Sequence, residues 1–170
     1  MIQPDHLLQD VIRPALAVIG LQSVAAEQLL LGTAAAESRL GTYLHQLGGP
    51  ALGVWQIEPA THEDVWLNVL AYKQGLRGLV LQLAPPIYVT APEYAPLPRV
   101  LCGNLLYACA IARIVYWRHK DPLPEAGDWK GIAAYWKRAY NTPLGAGTVE
   151  HFLDACDACG VLGQWSGTSR

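Results

Sequence analysis

The chain is short of charge. Of its 170 residues, 12 are Lys or Arg and 14 are Asp or Glu, a formal net charge of −2. No basic cluster of the kind that follows a phosphate backbone interrupts this balance, so nucleic acid is not expected as a partner. No apolar run approaches the roughly 20 residues of a membrane span, so no membrane insertion is expected. The opening Met1-Ile2-Gln3-Pro4-Asp5-His6 lacks a basic start leading into an apolar core. That is not the form of a secretory leader, and it predicts synthesis in the cytoplasm without self-directed export.

Missing motifs narrow the chemistry further. No G-x-S-x-G surrounds Ser38, which argues against that serine as a hydrolase nucleophile and for one that hydrogen-bonds near Glu37 and helps hold it in place. His45, His62 and Glu63 are the only metal grouping to weigh, and no H-E-x-x-H or similar spacing supports them, so neither metal nor other cofactor is expected. The four cysteines are Cys102, Cys109, Cys156 and Cys159. The last two have C-x-x-C spacing, but the first two lie about two helical turns apart and do not complete a four-cysteine zinc site. All four read as structural. Repeats, low-complexity blocks and interdomain linkers are also missing.

What remains is apolar and helical. Hydrophobic residues make up 52% of the chain, enough for one domain with a sizeable core. Pro4-Asp5 opens an amphipathic stretch to about Ile19, which Pro14 kinks or splits. Ser23 reads as the N-cap of a helix running to Ser38. Thr61-x-x-Asp64 reads as a capping-box variant opening a helix through Leu70, and a further helix spans Tyr72 to Leu83. Residues 84–98 are proline-rich; Ile87-Tyr88-Val89-Thr90 is either a short strand or a groove wall. Tyr88 and Tyr94 there either stack on a ligand or pin the loop. The longest helix is expected from Arg99 to His119, apolar around most of its circumference and therefore buried. Asp128 caps the next, which ends at Tyr140. Gly147 opens the last, to Cys159, and residues 161–170 read as a frayed tail. The class is mainly α, with at most a short β element.

Glu37 is the residue that points to chemistry. It ends the apolar stretch Leu29-Leu30-Leu31-Gly32-Thr33-Ala34-Ala35-Ala36, and poor solvation there penalises its charged form. A Glu kept protonated near neutral pH can donate a proton to a leaving oxygen. The plain alternative is a helix-end Glu reaching water.

Four pieces in order decide between these. They are Glu37-Ser38; Pro50-Ala51-Leu52-Gly53-Val54-Trp55-Gln56-Ile57-Glu58-Pro59-Ala60-Thr61; Asn104-Leu105-Leu106-Tyr107-Ala108; and Ala139-Tyr140-Asn141. From about Leu21 to Phe152 the chain resembles the lysozyme-like lytic transglycosylases, which cut the glycan strands of bacterial peptidoglycan. Their pattern reads roughly E-S, then G-A-x-G-L-M-Q-x-x-P-x-T, then N-x-x-x-G or A, then A-Y-N-x-G. The resemblance implies a lysozyme-like fold, with Glu37 as general acid. It implies Gln56 and Tyr140 as sugar contacts, joined by Ser38 and Asn141, with Asn104 and Thr61 in supporting roles. Val54-Trp55 replaces the usual Leu-Met, which makes Trp55 a candidate sugar platform. Pro50 stands where Gly is usual, and Asn141 leads into the longer loop Thr142-Pro143-Leu144-Gly145-Ala146-Gly147.

Glu58 departs from the pattern too. Goose-type lysozymes, relatives of the same architecture, are similar in carrying an acid immediately after their Gln-Val pair. A second carboxylate can hold water, whereas without one the sugar's own C6 hydroxyl attacks and leaves a 1,6-anhydro end. Inverting hydrolases keep the two carboxyls roughly 6.5–9.5 Å apart and retaining ones about 5–5.5 Å apart. Equally, Glu58 is an acid at the start of a helix, where the macrodipole favours it. Trp136, one turn before Tyr140, is left undecided between core and site; Trp66, Trp117 and Trp165 read as structural.

The expectation is cleavage of the MurNAc-β-1,4-GlcNAc bond, first as a lytic transglycosylase and alternatively as a lysozyme-type hydrolase. The residues also admit a glycan-binding or virion structural protein without efficient catalysis, or a chitin-directed glycosidase. Without an export signal, action on the cell wall implies a phage endolysin or a virion component with other virion proteins as partners.

Overall fold

The computed structural model describes residues 1–91, 94–141 and 147–165. The chain is a mainly helical domain, as its apolar spacing and cap residues predict. Its helices are α1 (Pro4–Leu7), α2 (Arg13–Ile19), α3 (Val24–Ser38), α4 (Pro59–Asn68), α5 (Gln74–Leu83), α6 (Val100–Gly103), α7 (Leu105–Trp117), α8 (Trp129–Trp136) and α9 (Val149–Ala158). Between α1 and α2, Leu8–Ile12 forms a π turn. It ends two residues before Pro14, whose ring and missing N–H exclude a regular ladder.

Local chemistry sets several helix starts. Ser23 accepts from the Ala26 amide at 3.1 Å, Asp128 from Gly131 at 2.9 Å, and Thr148 from His151 at 3.1 Å. Each satisfies an amide that the first helical turn leaves open. Other boundaries differ from expectation. The helix expected at Thr61 begins at Pro59, with Glu58 at the N-cap, because proline's fixed φ and missing N–H suit a first turn. It ends at Asn68, followed by a 3₁₀ turn over Leu70–Tyr72. The long helix from Arg99 is two helices. Asn104 is extended at the break, and its side chain accepts from the Tyr107 amide at 2.8 Å, which starts α7 afresh. Ile87–Thr90 is no strand: Pro86–Tyr88 is a 3₁₀ turn. The β element lies instead in residues 45–57, as isolated bridges His45–Leu52 and Leu52–Ile57. The tail is packed at its start, since Val161 is buried and Leu162–Trp165 forms a 3₁₀ turn. Residues 166–170 lie outside the described residues.

Two helices share the centre. In α7 every residue from Tyr107 to Tyr116 is buried, and α3 is nearly as enclosed, with Ala26 and the run Gln28 to Ala35 buried. They are joined across the core by Tyr116, whose hydroxyl meets Thr33 Oγ1 at 2.6 Å while Thr33 donates to the Leu29 carbonyl at 2.7 Å. Nearby, Tyr107 receives the Trp66 indole N–H at 2.8 Å and sits 2.7 Å from His62 Nε2. Burial lowers the His62 imidazole to about 4, so it is neutral there, and the Tyr107 hydroxyl, which accepts from Trp66, can donate its proton to Nε2 in a hydrogen bond.

Helix α9 docks on α3 with Phe152 and Cys156 over Gly32 and with His151 Nε2 3.2 Å from the Ala36 carbonyl. Phe152 is fully buried, and burial of such a side chain stabilises by roughly 1.5–3 kcal/mol. Its ring occupies the space over Gly32, where a Cβ would lie 2.3 Å from Phe152 Cζ. Gly32→Ala is therefore expected to overpack this contact and to cost about 1–3 kcal/mol in urea unfolding. An unchanged midpoint would show that α9 can back away freely.

All four cysteines are free thiols. Cys109, Cys156 and Cys159 are buried, and burial pushes the Cys156 thiol up to about 12. Cys102 donates to the Leu44 carbonyl at 3.2 Å.

Candidate active site

Helix α3 ends abruptly, and that ending presents Glu37. After Ser38 the chain turns left-handed at three successive residues, Arg39 (φ 50°), Leu40 (φ 52°) and Gly41 (φ 75°). Two helix carbonyls, Ala35 and Ala34, are closed by the amides of Arg39 and Leu40 at 3.0 and 2.9 Å. Ser38 staples the turn to the following loop. Its fully buried hydroxyl donates to the Val54 carbonyl at 2.6 Å and accepts from the Gly41 amide at 2.8 Å. Ser38 therefore fixes the backbone beside Glu37, and its burial corrects the expectation of a substrate contact.

The loop opposite is a tight hairpin. Leu52 and Ile57 exchange backbone hydrogen bonds of 3.0 and 2.9 Å around the turn Gly53–Gln56. Gln56 is left-handed at φ 46°, a conformation uncommon for a residue with a side chain. Its amide nitrogen donates back to the Gly53 carbonyl at 2.7 Å, which holds the turn. The other end, Oε1, is buried without a protein partner. Trp55 points the opposite way. It is fully buried and donates its indole N–H to the Leu30 carbonyl at 3.0 Å. The expected sugar platform is thus a core residue that ties the hairpin to α3.

Between the helix end and the hairpin lies an open cleft of about 680 Å³. Glu37, Gln56, Glu58, Thr61, Tyr140 and Asn141 all line it. These residues span more than a hundred positions of sequence and come together on one surface. Asn104 is not among them; it starts α7 behind. Tyr43, Gln46, Leu47 and Gly147 also line the cleft, and no motif in the sequence marks them as site residues. Tyr43 is fixed by a 2.9 Å hydrogen bond from its hydroxyl to the Glu37 carbonyl. Gly41, Gly48, Gly49 and Pro50 mark this stretch in the sequence as a loop, which the resemblance places along the groove, without singling out its side chains. Tyr88 and Tyr94 lie outside the cleft. Residues 142–146 of the longer loop lie outside the described residues, though both flanks, Asn141 and Gly147, line the cleft.

Tyr140 reaches the cleft from a π turn, Lys137–Asn141, that continues α8. Its ring stacks on Tyr116 at 4.9 Å, and its hydroxyl donates to the Trp55 carbonyl at 2.8 Å. Burial and the neighbouring Glu37 carboxylate both push the phenol well above its usual range, so it is neutral. Asn141 Oδ1 accepts from Lys137 Nζ at 3.0 Å, which leaves its amide N–H groups for other partners.

The electrostatics centre on Glu37. Desolvation at the helix end raises its carboxyl from 4.5 to about 7, against the lowering effect of a hydrogen bond from the Trp136 indole. That bond is 3.0 Å from Nε1 to Oε1. Glu58, by contrast, is exposed at the N-cap of α4 and makes no side-chain cap bond there. One acid is withdrawn from water and the other stands in it. This pairing can supply a proton from the first and hold water at the second. His62 is committed to Tyr107, and among the described residues no three His, Cys, Asp or Glu side chains gather to hold a metal ion. No helix among them is long and apolar enough to cross a membrane. No protein-family model matches the chain, and neither a curated protein nor a solved structure does.

Proposed function

We propose that the protein cleaves the MurNAc-β-1,4-GlcNAc bond of bacterial peptidoglycan as a lytic transglycosylase with a lysozyme-like site. The observation that carries this reading is Glu37, a carboxyl raised to about 7 in the wall of an open cleft of about 680 Å³. Its protonated form donates to the bridging oxygen, the C1–O bond breaks, and positive charge develops at C1. The carboxylate left behind then takes the proton of the C6 hydroxyl as O6 bonds to C1, giving a 1,6-anhydro end and restoring the acid. Gln56 and Tyr140 flank the sugar, and Tyr43, Thr61 and Asn141 line its path. Delivery by a phage, free as an endolysin or within a particle, belongs to the same proposal.

A hydrolase is the second reading, because Glu58 is exposed in the same cleft and unbound at its helix start. Mass spectrometry of fragments released from purified sacculi tests both. Muropeptides one water lighter than reducing-end products are expected, and Glu58→Gln should then leave turnover within about threefold. Reducing ends, with Glu58→Gln losing about 10²-fold or more, would establish the hydrolase instead. A folded protein that binds sacculi and releases nothing would overturn both.

A further inference from the structure

Trp136 is the residue that the glycosidase reading does not absorb. It is 1% exposed, yet its one polar atom faces a carboxylate of the cleft. An indole N–H only donates, so Oε1 of Glu37 must accept. In a neutral carboxylic acid the carbonyl oxygen is the better acceptor, so this bond leaves the acid proton on Oε2. Among the described residues Oε2 has no hydrogen-bond partner in the protein, and Glu37 lines the cleft. The indole cannot turn away. Phe152 packs on it at 5.2 Å, His151 lies at 6.4 Å, and Gly147 passes so close that a Cβ there would be 2.5 Å from Cη2.

We propose that Trp136 is a positioning residue for Glu37: it fixes the acid proton on Oε2, toward the cleft, and stabilises the carboxylate that forms as the proton leaves. This rests on the glycosidase reading for its reaction, but the contact itself does not. A neutral acid receives an ordinary hydrogen bond from the indole. As negative charge develops, that bond becomes charge-assisted and about twice as strong. Trp136 thus acts as a preorganised donor aimed at charge appearing on the catalytic acid rather than on the substrate. The same bond restrains the rise in proton affinity that burial imposes. Other titratable groups around Glu37 are Tyr43, Glu58, Tyr116, Tyr140 and His151, and none of them donates to its carboxylate.

Trp136→Phe keeps an aromatic ring and removes the N–H. Replacement of Trp136 by benzothienylalanine keeps the bicyclic shape as well, so one of the two variants will fold. The Glu37 carboxyl is followed by carbon-13 NMR titration, and turnover on sacculi is followed across pH. The titration should move upward from about 7 in both variants. Maximal turnover should fall about tenfold or more with KM within twofold, and the basic limb of the profile should move up with the carboxyl. An unmoved titration in a folded variant would overturn the proposal, whatever the enzyme does. If the titration moves while the wild type releases no glycan fragments, the glycosidase reading falls and the Trp136–Glu37 coupling stands, without its catalytic consequence.

Discussion

Glu37→Gln should lose at least about 10²–10⁴-fold of glycan release, the usual contribution of a general acid or base. The same variant should be more stable than the wild type above neutral pH. Glutamine fills the same space and can still accept from Trp136 through its carbonyl oxygen, but it cannot donate an acidic proton. The stability gain follows from linkage. Glu37 is raised from 4.5 to about 7 on folding, so between these values the folded state binds more protons than the unfolded chain. The stability associated with this group is therefore fully present below about 4.5 and is lost as pH rises through about 7. Above that, burying the carboxylate costs on the order of 3 kcal/mol at most, which glutamine avoids. Thermal melts of both proteins at pH 4 and pH 8.5 measure this, with the difference confined to the higher pH. Retained lysis would sink the catalytic assignment. A pH-independent difference in melting would show that Glu37 is not held in a desolvating site.

The second large effect is expected at Gly53. Its φ of 77° is left-handed, and a Cβ on it would lie 2.1 Å from the Leu101 carbonyl oxygen of α6. Backbone on both sides makes this clash hard to relieve. Gly53 also carries the site's scaffolding. Its amide donates to the Leu44 carbonyl at 2.8 Å, and its carbonyl receives both the Gln56 amide at 3.1 Å and the Gln56 side chain at 2.7 Å. Gly53→Ala should therefore cost more than about 3 kcal/mol, the range reserved for a few mechanisms such as backbone strain. That corresponds to a melting point lower by roughly 6–12 °C for a domain of this size. Surviving folded protein should show weakened turnover, since Gln56 and Ser38 both depend on this hairpin. A loss under about 1 kcal/mol would show that the hairpin can part from α6 without cost.

Glu37 was legible as a candidate because its signal is local. It follows a run of apolar residues, which marks it as a candidate but leaves open whether the carboxyl is desolvated or reaches water. Ser23 and Asp128 were legible as caps for the same reason: each bonds an amide three residues ahead. The break at Asn104 was not legible, since apolar residues on both sides read as one continuous buried helix. Neither was the helix start at Pro59, where proline's own geometry outweighed the Thr61 signal.

Side-chain direction escaped the sequence altogether. Trp55 adjoins Gln56 and shares its loop, yet one side chain is sealed under α3 and the other lines the cleft. The left-handed turn at Gln56 decides this, and no periodicity reports it. Trp136 stood undecided because its partner is 99 residues away. Composition and pattern by themselves determined a mainly helical domain and marked Glu37 as its candidate acid. Only the tertiary structure decided which groups surround that carboxylate. Propensity and caps act within a few residues, whereas the desolvation and the indole hydrogen bond at Glu37 come from chain segments brought together by packing.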